Sequence, residues 1–152
     1  MRIQLKVPPP VVALALGLFM WLIARLTPSV AIAIPGSRLL AAVIAVSGVV
    51  IAIAGVRSFR QARTTINPLK PESTTSLVDS GIYRFTRNPM YLGMVLVLIA
   101  CAVLLKNPLT LLGPVAFVLY MNRFQIRPEE VALTSLFGEK YVQYKSRVRR
   151  WI

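Results

Sequence analysis

Gly81-Ile82-Tyr83-Arg84-Phe85-Thr86-Arg87-Asn88-Pro89-Met90-Tyr91-Leu92-Gly93 is the stretch on which the reading of this chain turns. It is polar, aromatic and glycine-punctuated, and it stands where a basic connection gives way to a new apolar run. Asn88 has a side chain suited to capping a helix. Pro89 suits the first helical position, where a missing N–H costs little. The stretch therefore predicts a helix that starts at a polar face and runs at once into an apolar medium.

Reading outward, residues 90–105 form that apolar run, Lys106-Asn107-Pro108 makes a tight turn, and residues 109–126 form another. Upstream, residues 7–24 and 39–56 are two more, each 18 residues long. A helix of that length is roughly 27 Å, close to the hydrocarbon thickness of a bilayer. Hydrophobic residues make up 56% of the 152-residue chain and charged residues 15%, too apolar for an ordinary soluble domain. The predicted fold class is all-α: a polytopic membrane protein, one domain over residues 1–152, with about four transmembrane helices. A signal peptide is the rival reading of the first run, because Arg2 and Lys6 precede it, but no small-residue cleavage site stands out. Ala42, Ala45, Gly48, Ala52 and Gly55 recur along the second run and permit close helix packing.

The charges orient the spans. Arg2, Lys6, six basic residues of the 57–88 connection and seven from Arg123 onward fall on one side; Arg25, Arg38 and Lys106 fall on the other. Fifteen against three predicts both termini in the cytoplasm. All five acidic residues lie on the basic side, so ionic chemistry belongs there. The net charge of +13 suits an anionic membrane surface, and no nucleic-acid partner is expected. The 57–88 connection is too long for a turn and reads as a functional loop, with disorder as the alternative. Residues 128–148 read as a closing helix bent at Gly138, followed by a basic tail with Trp151 as an interface anchor.

Several chemistries are excluded. The chain has no His, so a Ser-His-Asp or Cys-His mechanism is impossible. Its single Cys, Cys101, lies in an apolar run and cannot form an internal disulfide. No metal-ligand set is present, and no metal is expected. What remains is two polar clusters at one face. The third and fourth runs form a hairpin, so the head of one lies beside the foot of the other. Arg87, Asn88 and Tyr91 thus come near Arg123, Arg127, Glu129 and Glu130. Caps and interface anchors are the bland explanation; a pocket is the other. Its carboxylates could pair with an ammonium, its arginines with a ligand carboxylate and its aromatic faces with a sulfonium, an inventory suited to S-adenosylmethionine.

Gly81-x-Tyr83-Arg84-x-x-Arg87-Asn88-Pro89-x-Tyr91-x-Gly93, followed by Glu129-Glu130-x-x-Leu133-x-x-x-Phe137-Gly138-x-x-Tyr141-x-x-Tyr144, resembles the isoprenylcysteine carboxyl methyltransferase and phospholipid methyltransferase-like superfamily of integral membrane enzymes. The resemblance covers residues 67–152, which it marks as the catalytic core. It implies S-adenosylmethionine as cofactor and a cofactor pocket made of Tyr83, Arg87, Asn88, Pro89, Tyr91, Leu92, Gly93, Glu129 and Tyr141. It implies Arg127 and Glu130 as catalytic residues that orient the acceptor. The expected activity is methyl transfer to a lipid-like or small amphipathic acceptor, with carboxyl methylation favoured over amine or thiol because a carboxylate needs no base. The alternative is a non-catalytic membrane assembly module with the same fold. One departure stands out: the family pattern commonly has Arg-His-Pro where this chain has Arg87-Asn88-Pro89. Asn keeps hydrogen bonding but cannot titrate.

Overall fold

A computed structural model describes residues 7–62 and 74–152. Arg2, Lys6, Arg63, Asn67, Lys70 and Glu72, each used in the sequence reading, lie outside the described residues. Regular structure among the described residues is entirely helical. The elements are α1 (Pro9–Leu26), α2 (Ser37–Gln61), α3 (Pro89–Leu105), α4 (Leu112–Tyr120), a π turn (Met121–Ile126), α5 (Arg127–Phe137) and α6 (Glu139–Arg147). Short 3-10 turns at Pro28–Val30, Gly81–Arg84 and Pro108–Leu111 join them. Three helical stretches, Pro9–Leu26, Ser37–Gln61 and Pro108–Phe137, are long and apolar enough to cross a membrane, and α3 is a shorter apolar helix of 17 residues.

Local chemistry places the helix ends. Pro9 opens α1 and Pro89 opens α3, each at a position where its missing N–H breaks no bond. Thr27 closes α1 with its hydroxyl on the Ile23 carbonyl at 2.6 Å. Two expected boundaries differ. Arg57 and Arg60 were expected in the polar connection, yet α2 carries both in its last turns. Its 25 residues span about 38 Å, so the helix outruns the hydrocarbon, and Arg and Gln are good helix formers in water. The fourth span was expected to stop at residue 126, with a separate helix from Pro128. Instead the helix continues through the π turn into α5. Pro128 lacks an N–H and its ring crowds the carbonyl four residues back. Widening the preceding turn absorbs that misfit without breaking the helix.

Packing then arranges three helices, α1, α2 and α4, about α3. The small residues of α2 meet α3 at close range: a Cβ on Gly93 would overlap the Gly48 carbonyl, and a Cβ on Gly48 would sit 2.7 Å from the Gly93 carbonyl oxygen. On its other side α3 packs against α1 and α4, where Met20, Tyr91, Val95, Leu98, Ala102, Phe117, Met121 and Ile126 form the main core. At the end away from the polar clusters, the buried Asn107 amide donates to the carbonyl (3.0 Å) and hydroxyl (2.9 Å) of Thr27. The Ile32 N–H donates to the Lys106 carbonyl at 2.8 Å. These bonds tie the α1–α2 connection to the α3–α4 turn. The opposite end gathers the starts of α1 and α3, the end of α2, the π turn, α5 and α6.

Candidate functional site

At that gathered end lies a cavity of about 270 Å³. This is near the lower end of the ~300–1,000 Å³ range of small-molecule sites. Pro9 and Pro10 of α1, Met90 and Met94 of α3, and Ile126 and Leu133 around α5 give it apolar walls. Phe59, Leu77, Val78 and Tyr83 close it from the side of α2 and the 74–88 segment, and Tyr141 and Tyr144 from α6. Its polar groups converge from α3, its preceding loop and α5: Arg87, Asn88, Tyr91, Glu129 and Glu130.

The two adjacent carboxylates have different surroundings. Glu129 Oε1 accepts from the Tyr91 hydroxyl at 2.6 Å and from the Gln125 amide at 2.7 Å. Glu130 is held by two arginines. Arg150 approaches it with both Nε (3.1 Å to Oε1) and Nη2 (2.7 Å to Oε2), a bidentate pair. Arg87 Nη1 lies 2.9 Å from Oε1 in an ion pair whose angle makes no hydrogen bond. The Arg87 side chain is 11% exposed, its Nε and Nη1 atoms are buried, and its Nε has no partner among the described residues. A buried guanidinium N–H left open inside a cavity is costly unless something else accepts from it.

The tyrosines of the lower wall form a second small core with Val78 and Val148. The Tyr144 hydroxyl donates to the Tyr83 carbonyl at 2.8 Å, and the Tyr83 ring meets Phe59 edge-on with centroids 5.4 Å apart. Burial pushes the Tyr83 and Tyr144 phenols above their ordinary value and pushes Tyr141 up to about 12, with the nearby Glu130 charge adding to the shift at Tyr141. These phenols therefore stay protonated at neutral pH. Gly138, with φ +52°, makes the break that turns α6 back under the cavity, a backbone state that favours glycine.

The C-terminal tail docks on the site. Trp151 donates from its indole nitrogen to Asn122 Oδ1 at 3.1 Å and packs against the main core. The Arg87 N–H donates to the Arg149 carbonyl at 3.0 Å. Asn88 does not cap α3 with its side chain; its amide donates to the Arg150 carbonyl at 2.9 Å. The Thr86 hydroxyl donates to the same carbonyl at 3.4 Å. Three backbone and side-chain bonds thus hold the tail along the 86–88 loop, and a docked tail is what delivers Arg150 to Glu130.

Of the residues expected in the site, Tyr83, Arg87, Asn88, Tyr91, Glu129, Glu130 and Tyr141 line the cavity. Pro89, Leu92, Gly93 and Arg127 do not. Pro89 is fully buried at the head of α3, Gly93 is used against Gly48, and Arg127 is exposed. Gln125, Tyr144 and Arg150 bear on the site but were not assigned to it. Gln125 was legible, since it precedes Glu129 by one helical turn. Arg150 carried no such signal, because Gly138 and α6 intervene.

Comparison with known proteins follows the same residues. Residues 37–140 match the sequence model of a family described as phospholipid methyltransferase. An uncharacterized protein of Haemophilus influenzae is 48% identical over 63 residues, 41% of this chain and all of the relative. The protein-S-isoprenylcysteine O-methyltransferase of Saccharomyces cerevisiae is 39% identical over 82 residues, 52% of this chain and 33% of the yeast protein. The human enzyme of the same name is 37% identical over 75 residues, 49% of this chain and 26% of its own length. The matched region thus spans a third or less of these two enzymes.

Proposed function

The chain belongs to the phospholipid methyltransferase family, and we propose that it is a multi-pass membrane methyltransferase that uses S-adenosylmethionine. The observation that carries the cofactor is Arg87: a buried guanidinium with an open Nε–H, in a cavity that also holds a carboxylate and aromatic rings. The residues present fit that cofactor. Arg87 would take its carboxylate, Glu129 its ammonium or ribose hydroxyls, and Tyr83, Tyr91 and Tyr141 would wall its cationic sulfur. Asn88 fits as a support that holds the tail against the site. Pro89, Leu92 and Gly93 would act by placing α3. When bound, the cofactor supplies an activated methyl group, and the chain's own task is alignment and exclusion of water.

The acceptor is lipid-like or amphipathic, in keeping with apolar walls of Pro9, Met90, Met94 and Leu133. Both oxygens of Glu130 are engaged by arginines, so neither is open toward an acceptor's proton. That favours an acceptor that is already ionised near neutral pH, a carboxylate, over an amine or thiol. Glu130 and the two arginines would then orient it, with Arg127 outside the cavity as an entry charge. The names of the yeast and human relatives support methyl transfer to oxygen. The single domain covers residues 1–152, with the pocket facing the cytoplasm and both termini on that side, as the Lys/Arg asymmetry favours. The test is calorimetry of the purified protein with S-adenosylmethionine, followed by transfer of labelled methyl into a fractionated lipid extract. Binding and a base-labile labelled product are expected; a protein that binds no S-adenosylmethionine refutes the reading.

A further inference from the structure

We propose that the π turn Met121–Ile126 is the positioning element of this site, acting through Gln125 and Asn122. The inference rests on the methyltransferase reading for Gln125 and stands apart from it for Asn122. A π turn is rare and holds one more residue than an α turn. At 3.6 residues per α turn, α5 leaves it rotated by about 100° from the course of an uninterrupted α4. That rotation is what aims Glu129 and Glu130 toward the head of α3 and the tail. The same turn supplies the groups that hold each carboxylate. Gln125 donates to Glu129 Oε1 at 2.7 Å, on the oxygen that Tyr91 also bonds, which directs the second oxygen to a ligand. Asn122 Oδ1 accepts from Trp151 at 3.1 Å and from Arg150 Nη1 at 3.4 Å, and Arg150 in turn grips Glu130. Neither side chain lines the cavity. Both are positioning residues: Gln125 as a donor, Asn122 as an acceptor.

The two roles have different signatures. Gln125→Leu should raise the dissociation constant for S-adenosylmethionine about tenfold, the scale of one lost hydrogen bond to a charged group, with the melting temperature little changed. Gln125→Met, which keeps the side-chain volume and has no N–H to donate, should not restore affinity. Asn122→Leu should release the indole: in a Trp21→Phe background, where Trp151 is the only tryptophan, its emission shifts to the red and iodide quenches it severalfold more. Asn122→Asp keeps the acceptor and should restore the wild-type spectrum. Unchanged affinity in Gln125→Leu, or a loss fully matched by loss of folded protein, overturns the role of Gln125. Unchanged Trp151 emission in Asn122→Leu overturns the role of Asn122. A wild-type protein that binds no S-adenosylmethionine overturns the functional reading and the Gln125 role together, while the Trp151 measurement still decides Asn122.

Discussion

Glu129, Arg87 and Asn88 are the residues on which the proposed site is tested most directly. Glu129→Ala removes the acceptor for both Tyr91 and Gln125 and leaves those donors buried without it. We expect S-adenosylmethionine affinity to fall about 10–100-fold, in line with ~1.5–3 kcal/mol for a hydrogen bond to a charged group. Arg87→Ala should fall by a similar factor while membrane insertion is unchanged. Calorimetry on detergent-purified variants checks both. Asn88 is a donor to a backbone carbonyl, a job an imidazole N–H can also do. Asn88→His should therefore keep the fold and the affinity, whereas Asn88→Ala should lower stability by about 1 kcal/mol through loss of the tail bond. A melting temperature that falls as far in Asn88→His as in Asn88→Ala would contradict this assignment.

At the scale of elements, the α2–α3 contact is the most constrained. Gly93 was read as a pocket residue because it belongs to the family pattern, but its hydrogen faces the backbone of Gly48. Gly93→Ala should force the two helices apart and cost about 1–3 kcal/mol, as overpacking does. Its signature is a lower melting temperature with cofactor affinity changed less than in Glu129→Ala. Most helices were legible from sequence, since 18-residue apolar runs and prolines at their heads mark them directly. The π turn was not. Its cause is a clash between Pro128 and the carbonyl of the turn before it, and whether a helix answers such a clash by ending or by widening depends on what packs around it.

Across the whole molecule, two expectations follow. Tyr141, at about 12 against an ordinary 10, and the likewise raised Tyr83 and Tyr144 hold their protons in the folded state after the unfolded chain has lost them. Their contribution to stability is present below pH 10 and lost as pH climbs from there toward 12. The melting temperature should be flat near neutrality and fall above pH 10, and Tyr141→Phe should soften that fall. The second concerns orientation. Glu139→Cys in a Cys101→Ala background places a single thiol on exposed α6. A membrane-impermeant maleimide should label it in inverted vesicles and not in intact cells; the reverse would place the pocket on the other side.

That this chain is a helical membrane protein, where its spans begin and which end collects its polar groups can all be read from the order of its residues. Those follow from local rules: apolar length, proline at helix starts, and the hairpin formed by a short turn. That order also marked Arg87, Tyr91, Glu129 and Glu130 as one cluster, because a hairpin sets head beside foot. The partners of each came only from the packed chain. Glu130 has both oxygens filled and Glu129 is anchored by one, a difference set by Arg150, twenty residues downstream across the Gly138 break. Asn88 serves the tail rather than the helix it precedes. The physical reason is that a side chain's partner depends on which segments dock beside it, and docking is settled by packing over the whole chain rather than by spacing along it.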